Sequence, residues 1–189
     1  MSSVVIAGDT SGTITLAAPA VAGSNTLTLP AATDTLAVQS QAVRQVVSTI
    51  TGAVATGTTA IPVDDTIPQS TEGDQYMTLS ITPKSATSKL VIEVAWIGSQ
   101  SVNSQVTAAL FQDSTANALA AVASEVITGN QTIIALNFRY VMTSGTTSST
   151  TFKVRAGGTS GTTTFNGRNT GRLFGGVMAS SIVITEIGG

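Results

Sequence analysis

Along most of this chain apolar residues recur at every second position rather than at helical spacing, and the residue between them is usually threonine. Strict alternation suits a strand with one covered face and one wetter face, so β-structure is expected to dominate. Strands are predicted over residues 76–82, 89–97, 105–111, 132–142, 151–155 and 181–187, separated by clusters of Gly, Asn, Asp and Ser that favour turns. Residues 43–50 fit two templates. Val43, Val46, Val47 and Ile50 have the i, i+3, i+4, i+7 spacing of a helix, behind Ser40 as a candidate cap. β-Branched side chains lose rotamer freedom in a helix, and Thr49-Ile50-Thr51-Gly52 continues the stretch as an alternating strand ending in a turn, so a strand is expected. Only residues 116–125, with Leu119, Val122 and Ala123, read as locally helical.

Some predicted strands are apolar in both phases. Leu90-Val91-Ile92-Glu93-Val94-Ala95-Trp96-Ile97 carries a single charge, which suggests a strand covered on two sides, as in a sandwich whose outer sheet packs against another subunit. About seven or eight such strands make a two-sheet antiparallel jelly roll the economical all-β architecture. Trp96, Phe111, Phe138, Tyr140 and Phe152 lie within predicted strands and are assigned to the core or to a subunit interface, two burials that alternation alone does not separate.

The N-terminal segment has a different organisation. Thr13-Ile14-Thr15-Leu16 is repeated 13 residues later as Thr26-Leu27-Thr28-Leu29, with a shorter echo at Thr35-Leu36-Ala37-Val38. Strands this short bury no core of their own. Residues 1–39 therefore read as an extended β-arm that needs neighbouring chains or a docking surface, and residues 40–189 as the jelly-roll domain.

Composition narrows the chemistry. Histidine and cysteine are absent, 10% of residues are charged, and 53 of 189 are threonine or serine. Most general-base, thiol and transition-metal chemistry is thereby removed. The net charge of −2 gives no long-range attraction to nucleic acid or to an anionic membrane, and no apolar run approaches the roughly 18 residues of a membrane-spanning helix. A soluble chain without a secretory signal is expected, since Met1–Asp9 has no basic start and too short an apolar run. A monomer of this mass exposes about 8,400 Å², or one charge per roughly 470 Å². That sparse charge beside 42% hydrophobic residues predicts a homo-oligomer that hides part of each protomer's surface.

Candidate sites are few. Gly157-Gly158-Thr159-Ser160-Gly161 lacks the Gly-Lys-Ser/Thr that cradles phosphate and reads as a turn. Lys89 follows Ser85 by four residues, so the Ser-x-x-Lys nucleophile spacing fails. Asp64, Asp65, Glu72 and Asp74 offer oxygen ligands for a hard cation, although their spacing matches no calcium loop, and a solvated acidic loop is the favoured reading. Asn130-Gln131-Thr132 satisfies a glycosylation sequon but is expected to act as a turn. Asn166, Arg168, Asn169 and Arg172 form the most polar late loop. Guanidinium forks and amides there suit carboxylates or sugar hydroxyls on a receptor, or acidic residues of a neighbouring protomer, the second being favoured.

The stretch Gly8-Asp9-Thr10-Ser11-Gly12-Thr13-Ile14-Thr15-Leu16, with Ala18–Gly23 and Thr26–Ala32, resembles an N-terminal segment recurring in tail-fibre and other virion proteins of tailed bacteriophages. Asp64–Gln69, Leu110–Leu119 and Phe152–Gly157 are similar to stretches of phage virion proteins, and Gly175–Ile182 resembles the end of their C-terminal jelly rolls of the tumour-necrosis-factor-like type. The resemblance implies a homotrimeric, non-enzymatic virion surface protein made in the host bacterial cytoplasm. Its arm is expected to contact other virion proteins and its jelly roll to project outward. A short tail fibre or surface appendage contributing to attachment, through a host glycan or protein, is the expected function; a capsid decoration or head-spike protein is the alternative, and a polysaccharide-degrading tailspike is less favoured. No cofactor, nucleic acid or membrane insertion is implied.

Overall fold

A computed structural model of the chain describes residues 3–7, 13–17, 42–124 and 132–189. The chain divides into two compact units, residues 1–36 and 37–189. In the first, β1 (Ser3–Ala7) pairs antiparallel with β2 (Thr13–Ala17), Val5 opposite Thr15. β2 falls on the first Thr/Leu repeat; the second repeat and its echo lie outside the described residues.

The second unit is an eight-stranded jelly roll with short additions. Its main strands are β3 (Val43–Thr51), β5 (Asp74–Ile81), β6 (Lys89–Gln100), β7 (Val106–Gln112), β8 (Ala120–Ala123), β9 (Ile133–Thr143), β10 (Thr150–Gly158) and β14 (Ser180–Ile187). The short ones are β4 (Ala55–Gly57), β11 (Thr163–Phe165), β12 (Gly167–Arg168) and β13 (Gly171–Arg172). β9 pairs with residues 89–99 of β6, while β14 pairs with residues 89–95 and β11 with residues 98–100. A strand has two edges, so β14 and β11 lie end to end along the edge opposite β9. β3 then borders β14, and β4 borders β11. The first sheet is therefore four strands wide, in the order β3, β14, β6, β9. The second sheet runs β5, β10, β7, β8. All pairings are antiparallel, and the chain crosses between the sheets at most connections, as a jelly roll requires.

Alternation decides which side chains fill the space between the sheets. β6 sends Leu90, Ile92, Val94 and Trp96 inward, β14 sends Ile182 and Ile184, and β10 sends Phe152, Val154 and Ala156. Leu136, Phe138, Tyr140 and Met142 of β9 join them from one side. At one end Tyr76 stacks on Phe165 with centroids 4.9 Å apart, and Trp96 meets Tyr76 edge-on at 6.3 Å. Two local features make this aromatic cluster possible. A β-bulge opposite Val154 and Arg155 inserts Tyr76 as an extra residue, so it joins Met77 against the core instead of alternating outward. Gly98 leaves the space that the indole occupies; a Cβ there would strike the Trp96 ring and the Thr164 carbonyl. Burial, followed by the charge of Asp74, raises the Tyr76 phenol well above its usual value.

Within the described residues the predicted strands are present with end shifts of a few residues, including β3 where helix and strand templates competed. The local helix expected over 116–125 is not found. Residues 113–119 form turns and an isolated bridge between Gln69 and Asn117, followed by β8. Pairing of β8 with β7 from Thr107–Ala123 to Leu110–Ala120 outweighs the weak helical preference of so short a segment. Among the described residues the one helical element is a 3-10 turn, Phe174–Gly176.

Trp96 touches both sheets' contributions to the core and is fully buried. Trp96→Ala is expected to lower unfolding free energy by about 3–5 kcal/mol, read as a drop in the chemical denaturation midpoint. A loss under 1 kcal/mol would show that the aromatic cluster does not anchor the fold.

Candidate functional site

The outward faces of the two sheets differ in what covers them. On the second sheet, Thr107, Ala109 and Phe111 alternate with the core residues of β7 and face away from it, yet all three are buried. Segment 58–73, between β4 and β5, lies against this face. Ile61 N–H donates to the Gly158 carbonyl at 3.2 Å, Ser70 N–H to Ala116 at 2.7 Å, and Ala118 N–H to Pro68 at 2.9 Å. Arg155 clamps the same segment from β10, donating to the Glu72 and Gly73 carbonyls at 2.8 and 2.7 Å. The rest of the face is polar: Ser80 and Thr151 share a hydrogen bond at 2.8 Å, and Lys153 donates to the Asp113 carbonyl at 2.6 Å.

The first sheet's outward face carries more apolar than polar side chains, and several of the apolar ones are exposed. β3 exposes Val43, Val46 and Ile50 at 59, 57 and 69%, and β9 exposes Ile133 and Val141 at 40 and 51%. Between these rims lie the half-buried Val91, Ala95 and Ile97 of β6 and Val183 and Ile187 of β14. Three charges interrupt it: Glu93 and Arg139, directly across from each other on β6 and β9, and Lys89, which donates to the Thr143 hydroxyl at 2.7 Å. Glu93 and Arg139 border a shallow depression of about 440 Å³ with Ala95, Asn137, Ser181 and Val183. Covering the exposed apolar side chains of this face would contribute on the order of 1 kcal/mol each.

The late polar loop sits at one end of the sandwich. Asn166 is fully buried and its amide is used within the chain: Nδ2 donates to the Thr51 and Ala53 carbonyls at 2.6 and 3.2 Å, and Oδ1 accepts the Ser180 hydroxyl at 2.7 Å. It ties β3, β11 and β14 together and offers nothing to a receptor. Arg168, Asn169 and Arg172 are exposed. In the β12–β13 hairpin Arg168 pairs with Gly171 and Arg172 with Gly167. Directly opposed residues share a face and adjacent ones do not, so the two guanidiniums point to opposite sides of the ribbon and do not close on one carboxylate. Beyond them Phe174 and Val177 are 71 and 84% exposed. Asn169, Thr170 and Phe174 hold positive φ angles of 53, 62 and 48°, a conformation that β-branched and bulky residues rarely take.

The carboxylates singled out from the sequence are dispersed. Asp64 caps its own turn, accepting from Thr66 N and Oγ1 at 2.8 and 2.5 Å, bonds that hold its proton affinity below the ordinary value. Glu72 accepts from Gln69 N at 2.9 Å, and Asp74 from Thr59 N and Oγ1 at 2.9 and 3.0 Å. Asp65 adjoins a separate shallow groove between residues 64–68 and 118–121. Among the described residues no group of three acidic side chains gathers to hold a metal ion. Asp113 is likewise engaged, by Thr151 N at 2.7 Å and Thr150 Oγ1 at 2.8 Å. Trp96 and Phe152 lie in the core, Phe138 and Tyr140 pack against it, and Phe111 is the exception, buried on the far side of the second sheet.

Sequence reasoning missed Glu186. It points inward from β14 and is fully buried, accepting from Gln45 Nε2 at 2.6 Å, Lys84 N at 2.8 Å and Ser85 N at 3.3 Å. Its carboxylate holds the β5–β6 turn against the first sheet. Burial works against the charge, but the Ser88 hydroxyl, Gln45 and the two backbone N–H groups outweigh it and bring the proton affinity below the usual carboxylate value. Its position in phase with Ile182 and Ile184 was the available signal.

The sequence matches no family model, and no curated protein is similar to it. Among solved structures, the infectious bursal disease virus Gx strain aligns with TM-score 0.43 and 17% identity, covering 94% of this chain and 38% of that one. The VP2 subviral particle of infectious bursal disease virus gives 0.40 and 13%, covering 87% and 38%. The Gt strain gives 0.38 and 13%, covering 96% and 45%. The chain thus spans about two fifths of the length of these proteins.

Because its hydrogen bonds hold the folded-state Glu186 carboxyl below the ordinary carboxylate value of 4.5, its contribution is complete above that pH and disappears as pH falls through the folded pKa. Glu186→Gln is expected to cost about 1–3 kcal/mol at pH 7 and to flatten the loss of stability below pH 4.5. Parallel acid profiles for the two proteins in denaturant titrations would rule this role out.

Proposed function

We propose that this protein is a non-enzymatic virion structural protein of a tailed bacteriophage, working as a homotrimeric short tail fibre or surface appendage that contributes to host attachment. The observation that carries the structural part of this reading is the exposure of apolar side chains on the outer face of the first sheet, Val43, Val46 and Ile50 on one rim and Ile133 and Val141 on the other. Among the described residues segment 58–73 covers the outer face of the second sheet, and exposed apolar side chains on the first sheet's outer face support its burial against protein. The engaged states of Asp64, Glu72, Asp74, Asp113 and Glu186 favour architecture over hydrolysis, since a glycosidase needs two free carboxyls facing one bond. The phage assignment is supported by the stretches that resemble virion proteins, from Gly8–Leu16 to Gly175–Ile182.

In this reading residues 1–39 attach the protein to other virion components and the jelly roll projects. The exposed Arg168, Asn169, Arg172, Phe174 and Val177 at one end supply separate contacts for a host glycan or protein. A capsid decoration or head-spike protein would use the same arm and the same subunit face.

Purified full-length protein is expected to compete with the phage for adsorption and to release no sugar from host polysaccharide. Binding to empty heads without blocking adsorption would replace attachment by decoration, and sugar release would overturn the structural reading. Removal of residues 1–39 should leave the thermal transition of the jelly roll in place while lowering incorporation into particles. Unchanged incorporation would refute the role of the arm.

A further inference from the structure

The geometry points to an internal ester bond that the folded chain forms by itself, joining the Thr150 hydroxyl oxygen to the side-chain carbonyl carbon of Gln112, with Asp113 as the base and ammonia as the product. The bond stands on contacts inside the jelly roll and goes beyond the virion reading, on which it does not depend.

Three side chains meet where β7 ends and β10 begins. Gln112 closes β7 and Thr150 opens β10. Gln112 Nε2 donates to Thr150 Oγ1 at 2.9 Å, and Thr150 Oγ1 donates to Asp113 Oδ2 at 2.8 Å. A hydroxyl has one proton and two lone pairs. Here the proton is committed to a carboxylate and a lone pair faces an amide, the arrangement of a nucleophile activated by an adjacent base. The Ser180 hydroxyl makes the contrast: it also touches an amide, but it directs its proton to the Asn166 oxygen at 2.7 Å.

Distance and rigidity suit the reaction. The amide carbon lies one bond of about 1.3 Å beyond Nε2. That places it roughly 3.5–4 Å from Oγ1, against a near-attack distance of about 3–3.5 Å. The terminal torsion of a glutamine side chain is broad, so a small turn of the amide closes the gap without moving the backbone. Asp113 is fixed more firmly. Its φ of 50° folds the carboxylate back over β10, where Oδ1 accepts from Thr151 N at 2.7 Å. Its own N–H donates to the Thr151 carbonyl at 2.8 Å, and its carbonyl accepts from Lys153 Nζ at 2.6 Å. A base held by the strand that carries the nucleophile needs no further ordering when the step begins. Thr150 is 1% exposed whereas Asp113 is exposed, so water is kept from the nucleophile while the leaving group has a way out.

The step balances within these three side chains. Asp113 takes the Oγ1 proton as Oγ1 adds to Cδ of Gln112, and gives it to Nε2 as the C–N bond breaks. The hydroxyl and the primary amide become an ester and one ammonia, with no change of oxidation state and no other reactant. Loss of ammonia to the solvent carries the exchange forward. The product ties the end of β7 to the start of β10 and closes the chain between them, β8 and β9 included, into a covalent loop. Such a link constrains the unfolded chain as a disulfide does, in a protein that has no cysteine.

Full-length wild-type protein kept at neutral pH is expected to be lighter by one ammonia than the intact mass of Thr150→Val implies after allowance for the substitution. Trypsin should release residues 90–139 and 140–153 as a joined pair. Hydroxylamine, which cleaves esters and spares amides, should separate the pair and leave a hydroxamate at Gln112. Thr150→Ser should retain the bond, and Asp113→Asn should form it roughly a hundredfold more slowly while keeping the wild-type circular dichroism. Wild-type protein at its full sequence mass, with the two peptides separate, overturns the ester, as does an ammonia loss that survives in Thr150→Val. Equal rates in wild type and Asp113→Asn overturn the role of the base. Because the joined pair is read on wild-type protein, a variant that fails to fold leaves that outcome unchanged.

Discussion

The first sheet of this jelly roll carries apolar side chains on both faces, and the packing of its inner face against the second sheet is the interaction the rest of the structure depends on. Its inner face, from Leu90, Ile92, Val94 and Trp96 to Ile182 and Ile184, is covered by the second sheet and is dry. Its outer face uses the intervening positions of the same strands, where Val, Ile and Ala outnumber the polar residues and the charges are Lys89, Glu93 and Arg139. Much of the chain's unusual composition follows from this arrangement. Apolar residues stand on both faces of this sheet, so the chain holds more of them than the space between the two sheets takes up.

On the second sheet part of the outer face is covered within the chain. Segment 58–73 is long for a connection in a compact domain, and it is fastened to the outside of β7 and β10 by Ile61, Arg155 and backbone hydrogen bonds to residues 116–118. Carboxylates that look like a cation site in the sequence are used in this fastening: Asp64, Glu72 and Asp74 each close a turn within or beside the segment. The ends of the sandwich are secured by two buried polar side chains, Asn166 at one and Glu186 with the β5–β6 turn at another. Both sit where apolar packing cannot satisfy backbone groups that leave a strand, and leaving those groups unpaired costs about 1–3 kcal/mol apiece.

Strand positions were legible because threonine alternation is local and period two is unambiguous over stretches such as 89–97 and 181–187. The all-β sandwich followed from the number of such stretches. The 116–125 region was misread because a four-residue edge strand carries too short a pattern to oppose helix-favouring alanines, and pairing with β7 decided it. Phe111 and Trp96 looked alike in sequence. One residue of phase separates a core position from one beneath segment 58–73, and that phase depends on which face meets the partner sheet. The loop at 166–172 read as a cluster of polar groups, but hairpin pairing turned Arg168 and Arg172 to opposite sides and burial removed Asn166 from the surface.

What the sequence by itself determined is therefore what short-range chemistry determines: β-structure, the broad strand positions, the absence of histidine and thiol chemistry, and an apolar excess. Only the tertiary structure decided which of two apolar faces the chain covers itself, which carboxylates are consumed in turns, and that Glu186 is buried. Those outcomes depend on contacts between residues far apart in the chain, such as Glu186 with Lys84 or Asn166 with Thr51. A local pattern carries no information about such contacts until the sheets are paired.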